Sequence, residues 1–296
     1  MSPNETTPLV LDGKWVRDQI FAELKPRVAK LTRLHRPPGL AVILVGNDPG
    51  SEIYVRLKIK TCEELGIYSE KITRPDSTTT GELLGIIEGL NQRPEIDGIL
   101  VQTPLPPQVD KDRVLRALKP DKDVDGFHPL NVGALVENIP GPRACTPVGI
   151  MEMLRRYNIP VSGRHAAVVG RSDIVGKPMA LLLLHANATV TICHSKTSNL
   201  TEECRRADIL VVAIGRAHLI TRDFIKPGAV VVDVGVNRKA DGKLAGDINP
   251  DDAQALASAY TPVPGGVGPL TIAMLMANTV ESAEQRLIDE QPLCSG

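Results

Sequence analysis

The sequence lacks several features that would set it apart from an ordinary soluble protein. It has no excess of either charge, with 34 lysines and arginines against 35 aspartates and glutamates, so nothing indicates a polyanionic partner. Its longest apolar runs, Met179–Leu184 among them, are far too short to span a bilayer. The start, MSPNETTPL, has neither the basic nor the apolar region of a signal peptide. We expect a soluble cytoplasmic protein that binds neither nucleic acid nor membranes.

Paired cysteines and metal-ligand spacings are also missing. There is no CxxC motif, and an odd number of cysteines argues against a disulfide framework and fits a reducing compartment. The five are Cys62, Cys145, Cys193, Cys204 and Cys294. The histidines His128, His165 and His194 resemble no metal cluster, so we predict no metal.

What the chain does have is an alternation of strand-like and helix-like segments in two regions, which indicates an α/β fold with largely parallel sheets. In the first region we predict helices over about 13–34, 51–65, 80–90 and 110–118, and strands over 40–45, 67–72 and 97–102. The polar, turn-rich segment 120–129 is predicted to be irregular.

The second region has the strand–helix–strand spacing of a doubly wound nucleotide-binding sheet. Thr146 as N-cap and Pro147 at the first helical position predict a helix through Tyr157. Strands are predicted over 165–169, 189–193, 209–214 and 229–234, and connecting helices over 176–186, 199–207 and 222–225. A last helix over 270–288 has an apolar face. We therefore predict two domains: residues 1–145, completed by 270–296 packing back on them, and a Rossmann-type domain over 146–269.

Two side chains of the second predicted helix can exchange protons with a substrate. The helix follows the turn cluster 46–50, and Ser51 is its predicted N-cap. Tyr54 and Lys58 lie four residues apart and therefore share one face. The alternative is a surface helix on which Lys58 is simply solvated.

The segment 165–176 predicts a dinucleotide-binding loop. Gly170 and Gly176 permit a tight turn and close backbone approach, and the backbone N–H groups at the helix start face a phosphate. The pattern departs from G-x-G-x-x-G, because Ser172 holds the middle position and the last glycine comes one residue late. Its place after the first strand of the alternating run supports this prediction over an ordinary turn.

The end of the next strand favours NADP over NAD. An NAD site usually has an acidic residue there for the ribose 2′-hydroxyl, whereas this chain reads CHSKT over 193–197. Ser195, Lys196 and, from the first loop, Arg171 suit a 2′-phosphate. The alternative is that Ser195 and Lys196 only cap the next helix.

Six strings in one order carry a family resemblance. They are Tyr54-x-x-x-Lys58, Val101-Gln-Thr-Pro-Leu-Pro106, Asp121-Lys-Asp-Val-Asp-Gly126, Cys145-Thr-Pro147, Gly170-Arg-Ser-Asp-Ile-Val-Gly176 and Pro262-Val-Pro-Gly-Gly-Val-Gly-Pro269. Together they resemble the bifunctional methylenetetrahydrofolate dehydrogenase/methenyltetrahydrofolate cyclohydrolase family over about residues 9–288. The resemblance implies oxidation of 5,10-methylenetetrahydrofolate with NADP, hydrolysis of the methenyl cation to 10-formyltetrahydrofolate, and a homodimer formed through the NADP domain.

The resemblance also implies roles for individual residues. Lys58 matches the family's essential lysine, Tyr54 its partner, Gln102 the glutamine that holds the lysine, and Asp125 the aspartate that binds the pterin ring. The remaining matches are Pro264, Gly265 and Gly266 in the loop over the folate, and Gly170, Arg171, Ser172, Ser195 and Val236 at the NADP site.

The chemistry of these side chains agrees with those roles. Hydrolysis needs a base, and burial beside a developing positive charge favours the neutral amine of Lys58. Gln102 can orient that amine without stabilising its charged form. The Asp125 carboxylate can accept two N–H donors from an aminopyrimidine edge.

Simpler readings of the same residues stay open. Gln102 can pair with backbone alone, and Asp125 can be a turn former before Gly126, as Asp121 and Asp123 are expected to be. Two residues depart from the family strings, Thr103 and Leu270, and we expect both at the pocket wall. Two other functions are also compatible with the pattern: a dehydrogenase of another small molecule, such as a shikimate or amino-acid type, and a nucleotide sensor without catalysis.

Overall fold

The computed structural model describes residues 7–239 and 242–290, without the side chain of Glu290. Residues 1–6, on which the signal-peptide prediction partly rests, lie outside that part of the chain. Cys294 and the last residues of the predicted segment 270–296 also lie outside it. No helix within residues 7–239 and 242–290 combines the length and the apolar character needed to cross a membrane.

The described chain forms two compact units, each with its own parallel sheet. The three-stranded unit contains Gln19–Cys145 and the chain from Ile272 onward, and the six-stranded unit contains the residues up to Asp18 and Thr146–Thr271. The predicted first domain, 1–145, therefore differs from the structure at its start. The physical reason is that Leu9 and Val10 form a short strand of the larger sheet.

The regular elements follow the predicted alternation. The helices are α1 (Gly13–Leu34), α2 (Pro49–Leu65), α3 (Thr80–Gln92), α4 (Lys111–Ala117), α5 (Pro129–Val136), α6 (Cys145–Arg156), α7 (Gly176–His185), α8 (Leu200–Arg205), α9 (Pro250–Leu256) and α10 (Gly268–Glu290). The strands are β1 (Leu9–Val10), β2 (Gly39–Val45), β3 (Tyr68–Arg74), β4 (Gly98–Val101), β5 (His165–Val169), β6 (Thr189–Cys193), β7 (Ile209–Val212), β8 (Val230–Asp233), β9 (Asn237–Arg238), β10 (Leu244–Ala245) and β11 (Ala259–Tyr260).

The three-stranded unit is built on β2, whose seven residues are all buried. The strand order is β3–β2–β4 with both pairs parallel, and Val42 lies opposite Lys71 on one side and Leu100 on the other. A central parallel strand is covered on both faces, which is why its sequence is a continuous apolar run rather than an alternating one. Helix α2 follows the carboxyl end of β2, and the segment that begins with Gln102 follows the carboxyl end of β4.

Helix starts in this unit are set by side-chain caps. The predicted N-cap of α2, Ser51, is wrong: the cap is Asp48, whose carboxylate accepts the Ser51 N–H at 2.7 Å, with Pro49 at the first helical position. The helix ends where predicted, at Gly66, whose φ of 78° is the left-handed conformation that glycine favours. Helix α3 is capped by Thr79, whose hydroxyl accepts the Glu82 N–H.

The prediction that the last helix returns to the first domain is confirmed within the three-stranded unit. The Asn278 amide on α10 donates to the carbonyls of Val124 at 2.8 Å and Arg143 at 3.0 Å. Glu284 of the same helix pairs with Arg27 of α1 at 2.6 Å. The amide bonds satisfy two loop carbonyls, and the ion pair joins α10 to α1.

The six-stranded unit has the order β1–β11–β8–β7–β5–β6, with every neighbouring pair parallel. The predicted doubly wound arrangement of β5 to β8 is confirmed. Strands β9 and β10 form a separate antiparallel hairpin. The two-residue strands β1 and β11 and the hairpin were not predicted.

The start of α6 was predicted wrongly, and one helix was not predicted. Helix α6 begins at Cys145, so Thr146 lies inside the helix, where its hydroxyl bonds to that of Thr271 at 2.8 Å instead of capping. The segment predicted to be irregular contains a 3₁₀ turn at Pro120–Lys122 and leads into α5, which we did not predict. Pro129 at the first position of α5 is the helix-start signal that was missed.

Asp97 offers a test of the fold of the three-stranded unit. It is fully buried, and its carboxylate accepts both terminal nitrogens of Arg36, at 2.7 and 2.9 Å, and the Gly39 N–H at 2.8 Å. Asp97→Ala should lower the free energy of unfolding by about 3–5 kcal/mol in urea titrations, because it leaves a charge and a buried N–H unpaired. Asp121→Ala removes an exposed pair with Arg286 and should cost under about 1 kcal/mol. Equal losses would contradict this account.

Candidate active site

Lys58 is a buried lysine in the third turn of α2. Its side chain faces the end of β4, and the residue is only 8% exposed. Its ammonium nitrogen donates to Gln102 Oε1 at 3.0 Å. The Gln102 amide nitrogen donates in turn to the Thr103 carbonyl at 2.8 Å, which fixes which end of the amide faces the lysine. The alternative of a solvated surface lysine is wrong, and Gln102 bonds both to backbone and to Lys58.

Asp125 lies close enough to Lys58 for their charges to interact. Burial raises the pKa of the Asp125 carboxyl to about 6, the Lys58 charge opposes that rise, and the Asp123 charge adds to it. The Cys145 thiol is buried in the same surroundings, and burial together with the negative charge of Asp125 raises its pKa far above the ordinary value. Lys58, Gln102, Asp125 and Cys145 therefore form one cluster in the three-stranded unit, and Cys145 is a member that we had not singled out.

Asp123 is a structural residue, as expected, and organises the loop that carries Asp125. One of its carboxylate oxygens accepts the His128 N–H at 2.7 Å and the Asn131 amide at 2.9 Å. Gly126 in the same loop has a φ of 72°, and a Cβ there would lie 2.4 Å from the Arg143 carbonyl carbon. The conformation of the loop that carries Asp125 therefore depends on Asp123 and Gly126.

Tyr54 lies one turn before Lys58 on the same helix but is 42% exposed. The predicted shared face is present, with a buried amine and an accessible phenol. The nearby departure from the family strings, Thr103, is also exposed.

The loop after β5 requires glycine at two places. Gly170 has a φ of 125°, and a Cβ there would lie 2.2 Å from the Ala213 carbonyl oxygen. A Cβ on Gly176 would lie 2.2 Å from the Gly170 carbonyl oxygen. Both contacts are shorter than any real packing distance, so the turn from β5 into α7 exists only without those side chains. The result is a tight backbone turn at the carboxyl end of β5.

Ser172 and Arg171 follow directly, and both are exposed. The Ser172 hydroxyl accepts the N–H groups of Val175 at 3.2 Å and Gly176 at 3.3 Å, so it closes the turn at the start of α7. A guanidinium, a hydroxyl and a glycine-walled turn at a helix start are the groups that bind phosphate in doubly wound folds.

The turn after β6 also ends in exposed polar groups. The His194 N–H donates to the Thr197 hydroxyl at 2.8 Å, and the Lys196 N–H donates to His194 Nδ1 at 3.1 Å. Ser195 and Lys196 are exposed on this turn. The alternative that they cap the next helix is wrong, because α8 begins at Leu200 after Asn199.

The loop 262–269 is anchored within the six-stranded unit. The Gly13 N–H donates to the Gly265 carbonyl at 2.9 Å, and a Cβ on Gly266 would lie 2.6 Å from the Pro262 carbonyl oxygen. Val236, the other predicted contact of this unit, follows β8 and is 50% exposed. Leu270, which we expected at a pocket wall, is instead fully buried against Gly149.

No group of three or more potential metal ligands occurs in the part of the chain that the structure describes. The donor groups at the sheet edge are instead backbone N–H, hydroxyl and guanidinium groups, which fit an anionic dinucleotide.

Fold and side chains together define a two-domain α/β protein of the dinucleotide-dependent dehydrogenase type. The six-stranded unit carries the dinucleotide-binding turn, and the three-stranded unit carries the buried pair Lys58 and Gln102. Residues 11–125 match the tetrahydrofolate dehydrogenase/cyclohydrolase catalytic domain, and residues 144–287 match the NAD(P)-binding domain of the same enzymes. The chain belongs to the tetrahydrofolate dehydrogenase/cyclohydrolase family.

Individual relatives agree with that assignment. The bifunctional protein FolD of Solibacter usitatus is 64% identical, over 94% of this chain and 98% of its own length. The crystal structure of the bifunctional enzyme FolD from Campylobacter jejuni has a TM-score of 0.92 and 47% identity, covering 94% of this chain and 99% of that one. The Trypanosoma brucei enzyme, solved with NADP cofactor and an inhibitor, has a TM-score of 0.91 and 38% identity, covering 95% and 99%.

Proposed function

We propose that this chain catalyses two consecutive reactions of one-carbon metabolism: oxidation of 5,10-methylenetetrahydrofolate to the 5,10-methenyl cation with NADP, and hydrolysis of that cation to 10-formyltetrahydrofolate. The observation that carries the proposal is the buried Lys58 amine, 3.0 Å from Gln102 Oε1, in a chain that matches both family domains. A nucleotide sensor has no use for such a pair, and a dehydrogenase of another small molecule has no use for the whole set of Tyr54, Lys58, Gln102 and Asp125.

The folate is held in the three-stranded unit. Asp125 accepts the N–H groups of the aminopyrimidine edge, which is supported by its place beside Lys58 and by the burial that raises the pKa of its carboxyl to about 6. The accessible Tyr54 contacts the folate beside Lys58. The resemblance gives Pro264, Gly265 and Gly266 a folate contact as well.

The oxidation step depends on positioning more than on proton transfer. NADP, when bound, supplies the acceptor for the hydride that leaves the methylene carbon. The residues that hold it are Gly170, Arg171 and Ser172 at the glycine turn, Ser195 after β6 and Val236 after β8. The exposed Arg171, Ser195 and Lys196 support recognition of the 2′-phosphate, because an ionised donor strengthens a phosphate hydrogen bond.

The hydrolysis step depends on Lys58. Water adds to the methenyl carbon, and the Lys58 amine takes the proton that the water loses. The bond between that carbon and N5 then breaks: the new hydroxyl loses its proton, N5 gains one, and the formyl group stays on N10. Gln102 orients the amine, because its carbonyl oxygen accepts a hydrogen bond from the Lys58 nitrogen at 3.0 Å.

Three further properties are proposals that rest on the resemblance. The folate-binding domain is the unit of Gln19–Cys145 completed by the chain from Ile272 onward, and the NADP-binding domain is the unit of the residues up to Asp18 and Thr146–Thr271. The protein works as a homodimer in the cytoplasm, joined through its NADP domains. Sedimentation at micromolar concentration tests the dimer, and a monomer there would refute it.

The raised pKa of Asp125 gives a pH dependence with a definite sign. The folded-state pKa of about 6 lies above the ordinary value of about 3.9, so acidification through pH 6 protonates Asp125 and removes the carboxylate that binds the folate. The KM for 5,10-methylenetetrahydrofolate should rise by about tenfold per pH unit below 6. In Asp125→Asn the KM for the folate should be high at neutral pH and should not change as the pH falls below 6. The same pH dependence as in the wild type would refute the assignment of Asp125 as the folate ligand.

The function itself is tested with purified protein and both cofactors. We expect reduction of NADP only when the folate is present, with a lower Kd and KM for NADP than for NAD. Tighter binding of NAD would contradict the assignment of Arg171, Ser195 and Lys196. Reduction of NADP without the folate, driven by another hydroxy or amino acid, would favour the second function considered above.

A further inference from the structure

The six-stranded unit contains two buried aspartates to which no role has been given. Asp247 is fully buried, and Asp233 is 5% exposed. The Asp247 carboxylate accepts three successive backbone N–H groups and one side-chain amide: Ile214 at 2.7 Å, Gly215 at 2.9 Å, Arg216 at 2.8 Å and Asn237 Nδ2 at 2.8 Å. Three converging N–H groups form the kind of concavity that binds a phosphate, and here the protein fills it with its own carboxylate.

Asp233 holds Asp247 in place. Its carboxylate accepts the N–H groups of Gly235 at 2.9 Å, Asp247 at 3.0 Å and Ile248 at 2.9 Å, and its own N–H donates to the Thr261 hydroxyl at 2.7 Å. Thr261, Asp233, Asp247 and the loop Ile214–Arg216 are thus joined by one continuous set of hydrogen bonds.

The backbone around the pair is shaped to admit the carboxylates. A Cβ on Gly235 would lie 2.4 Å from the Asp247 carboxyl carbon, and a Cβ on Gly246 would lie 1.9 Å from an Asp233 oxygen. Burial raises the pKa of Asp233 to about 6, against the effect of its backbone donors, so keeping this carboxylate inside is unfavourable. Such a group is stable only when its bonds are complete, and complete bonds leave the attached backbone little freedom.

The three segments joined by the pair all follow strands at the carboxyl edge of the sheet. Ile214–Arg216 follow β7, Gly235 and Val236 follow β8, and Thr261 follows β11 and leads into the loop with Pro264–Gly266. That edge is where doubly wound sheets bind their ligands. The pair therefore fixes backbone next to Val236, a proposed cofactor contact, and next to the proposed folate loop.

We propose that Asp233 and Asp247 are positioning residues for hydride transfer, which hold the loops after β7, β8 and β11 in the geometry that the bound nicotinamide and folate require. This inference rests on the proposed function. It affects the two reactions unequally: oxidation requires the nicotinamide and the folate carbon to be aligned with each other, whereas hydrolysis by Lys58, Gln102 and Asp125 requires only that the folate is bound. A displacement of about 1 Å in reacting groups is enough to slow a reaction about 10²-fold.

The test is Asp247→Asn in the full chain. The amide keeps the size of the carboxylate but turns one acceptor into an NH₂ group that faces N–H donors. We expect the NADP-dependent oxidation to fall by about 10–100-fold, mainly in kcat. Hydrolysis of added methenyltetrahydrofolate should stay within about twofold. Hydrogen exchange of the amides of Ile214–Arg216, measured without cofactor, should become faster.

Asp208→Asn is the matched control. Asp208 lies at the amino edge of the same sheet, where it accepts the His165 N–H at 3.0 Å and the Lys226 ammonium at 2.6 Å. This variant also loses hydrogen bonds to an aspartate in the same unit, but it should oxidise the folate at the wild-type rate and leave amide exchange at 214–216 unchanged.

Parallel loss of both activities in Asp247→Asn, or behaviour equal to that of Asp208→Asn, would overturn the proposal. If Asp247→Asn does not fold, Thr261→Val tests the proposal instead. It removes only the hydroxyl that accepts the Asp233 N–H and so joins Asp233 to the loop after β11. A selective fall in oxidation supports the proposal, and unchanged oxidation refutes it. Should the wild type not oxidise the folate at all, the proposed function fails, and the exchange of Ile214–Arg216 in the two aspartate variants still shows whether the pair fixes this loop.

Discussion

Lys58→Met should lose hydrolysis of the methenyl cation by about 10²–10⁴-fold and keep oxidation of the methylene compound within about tenfold. The range is the usual contribution of a positioned base. Methionine fills much of the volume of a side chain that is only 8% exposed, and it cannot take a proton from water. Oxidation needs no protein base, because the hydride passes directly from the substrate carbon to the cofactor. The two reactions are to be assayed separately, each with its own substrate.

Lys60→Met is the control for that prediction. Lys60 lies on the same helix, two residues further on, and is exposed. Its replacement changes the net charge as Lys58→Met does, so both activities should stay at the wild-type level. Normal hydrolysis in Lys58→Met would show that another group manages the proton, even if the enzyme assignment stands.

Gly170→Ala should abolish tight NADP binding, with at least a tenfold rise in Kd. A Cβ at this position would lie 2.2 Å from the Ala213 carbonyl oxygen, and the φ of 125° is outside the regions that an alanine adopts. Gly170 also donates its N–H to the Cys193 carbonyl at 2.9 Å, so relief of the clash must move the turn away from β6 or β7. We expect a loss of about 2–4 kcal/mol in the free energy of unfolding, from backbone strain and overpacking together. Calorimetric titration with NADP measures the binding.

Gly228→Ala separates the strain of a positive φ from the clash. Gly228 has a φ of 81° in the same unit, and nothing lies within 4 Å of a Cβ built there. This variant should cost about 1 kcal/mol in stability and leave the Kd for NADP unchanged. Hydrolysis should survive in both variants, because it takes place on residues of the three-stranded unit. Unchanged NADP binding in Gly170→Ala would refute the placement of the phosphate at this turn.

The elements that could be predicted from the sequence are those with a strong local signal. The apolar run of β2, the threonine and glutamate at the start of α3 and the glycine at the end of α2 each determine structure within a few residues. Strands β1 and β11 have two residues each and exist only because they pair with each other and with β8. No pattern within two residues indicates such a pairing.

The site shows the same division between local and distant information. The roles of Gly170 and Gly176 could be predicted from the sequence, because the turn that needs them is formed by neighbouring residues. The bond between Lys58 and Gln102 joins residues 44 positions apart, and only the resemblance to a family connected them. Asp247 had no signal at all, since its main partners lie more than thirty residues earlier and are backbone N–H groups, which any residue except proline offers.

The most direct test of the account is a single reaction mixture of 5,10-methylenetetrahydrofolate and NADP, followed for NADPH, methenyl cation and 10-formyltetrahydrofolate together. With the wild type we expect NADPH and 10-formyltetrahydrofolate in equal amounts and little methenyl cation. With Lys58→Met we expect NADPH matched by accumulated methenyl cation. If the wild type forms no NADPH, or if Lys58→Met forms 10-formyltetrahydrofolate at the wild-type rate, a chain with two activities and one catalytic lysine is the wrong description of this protein.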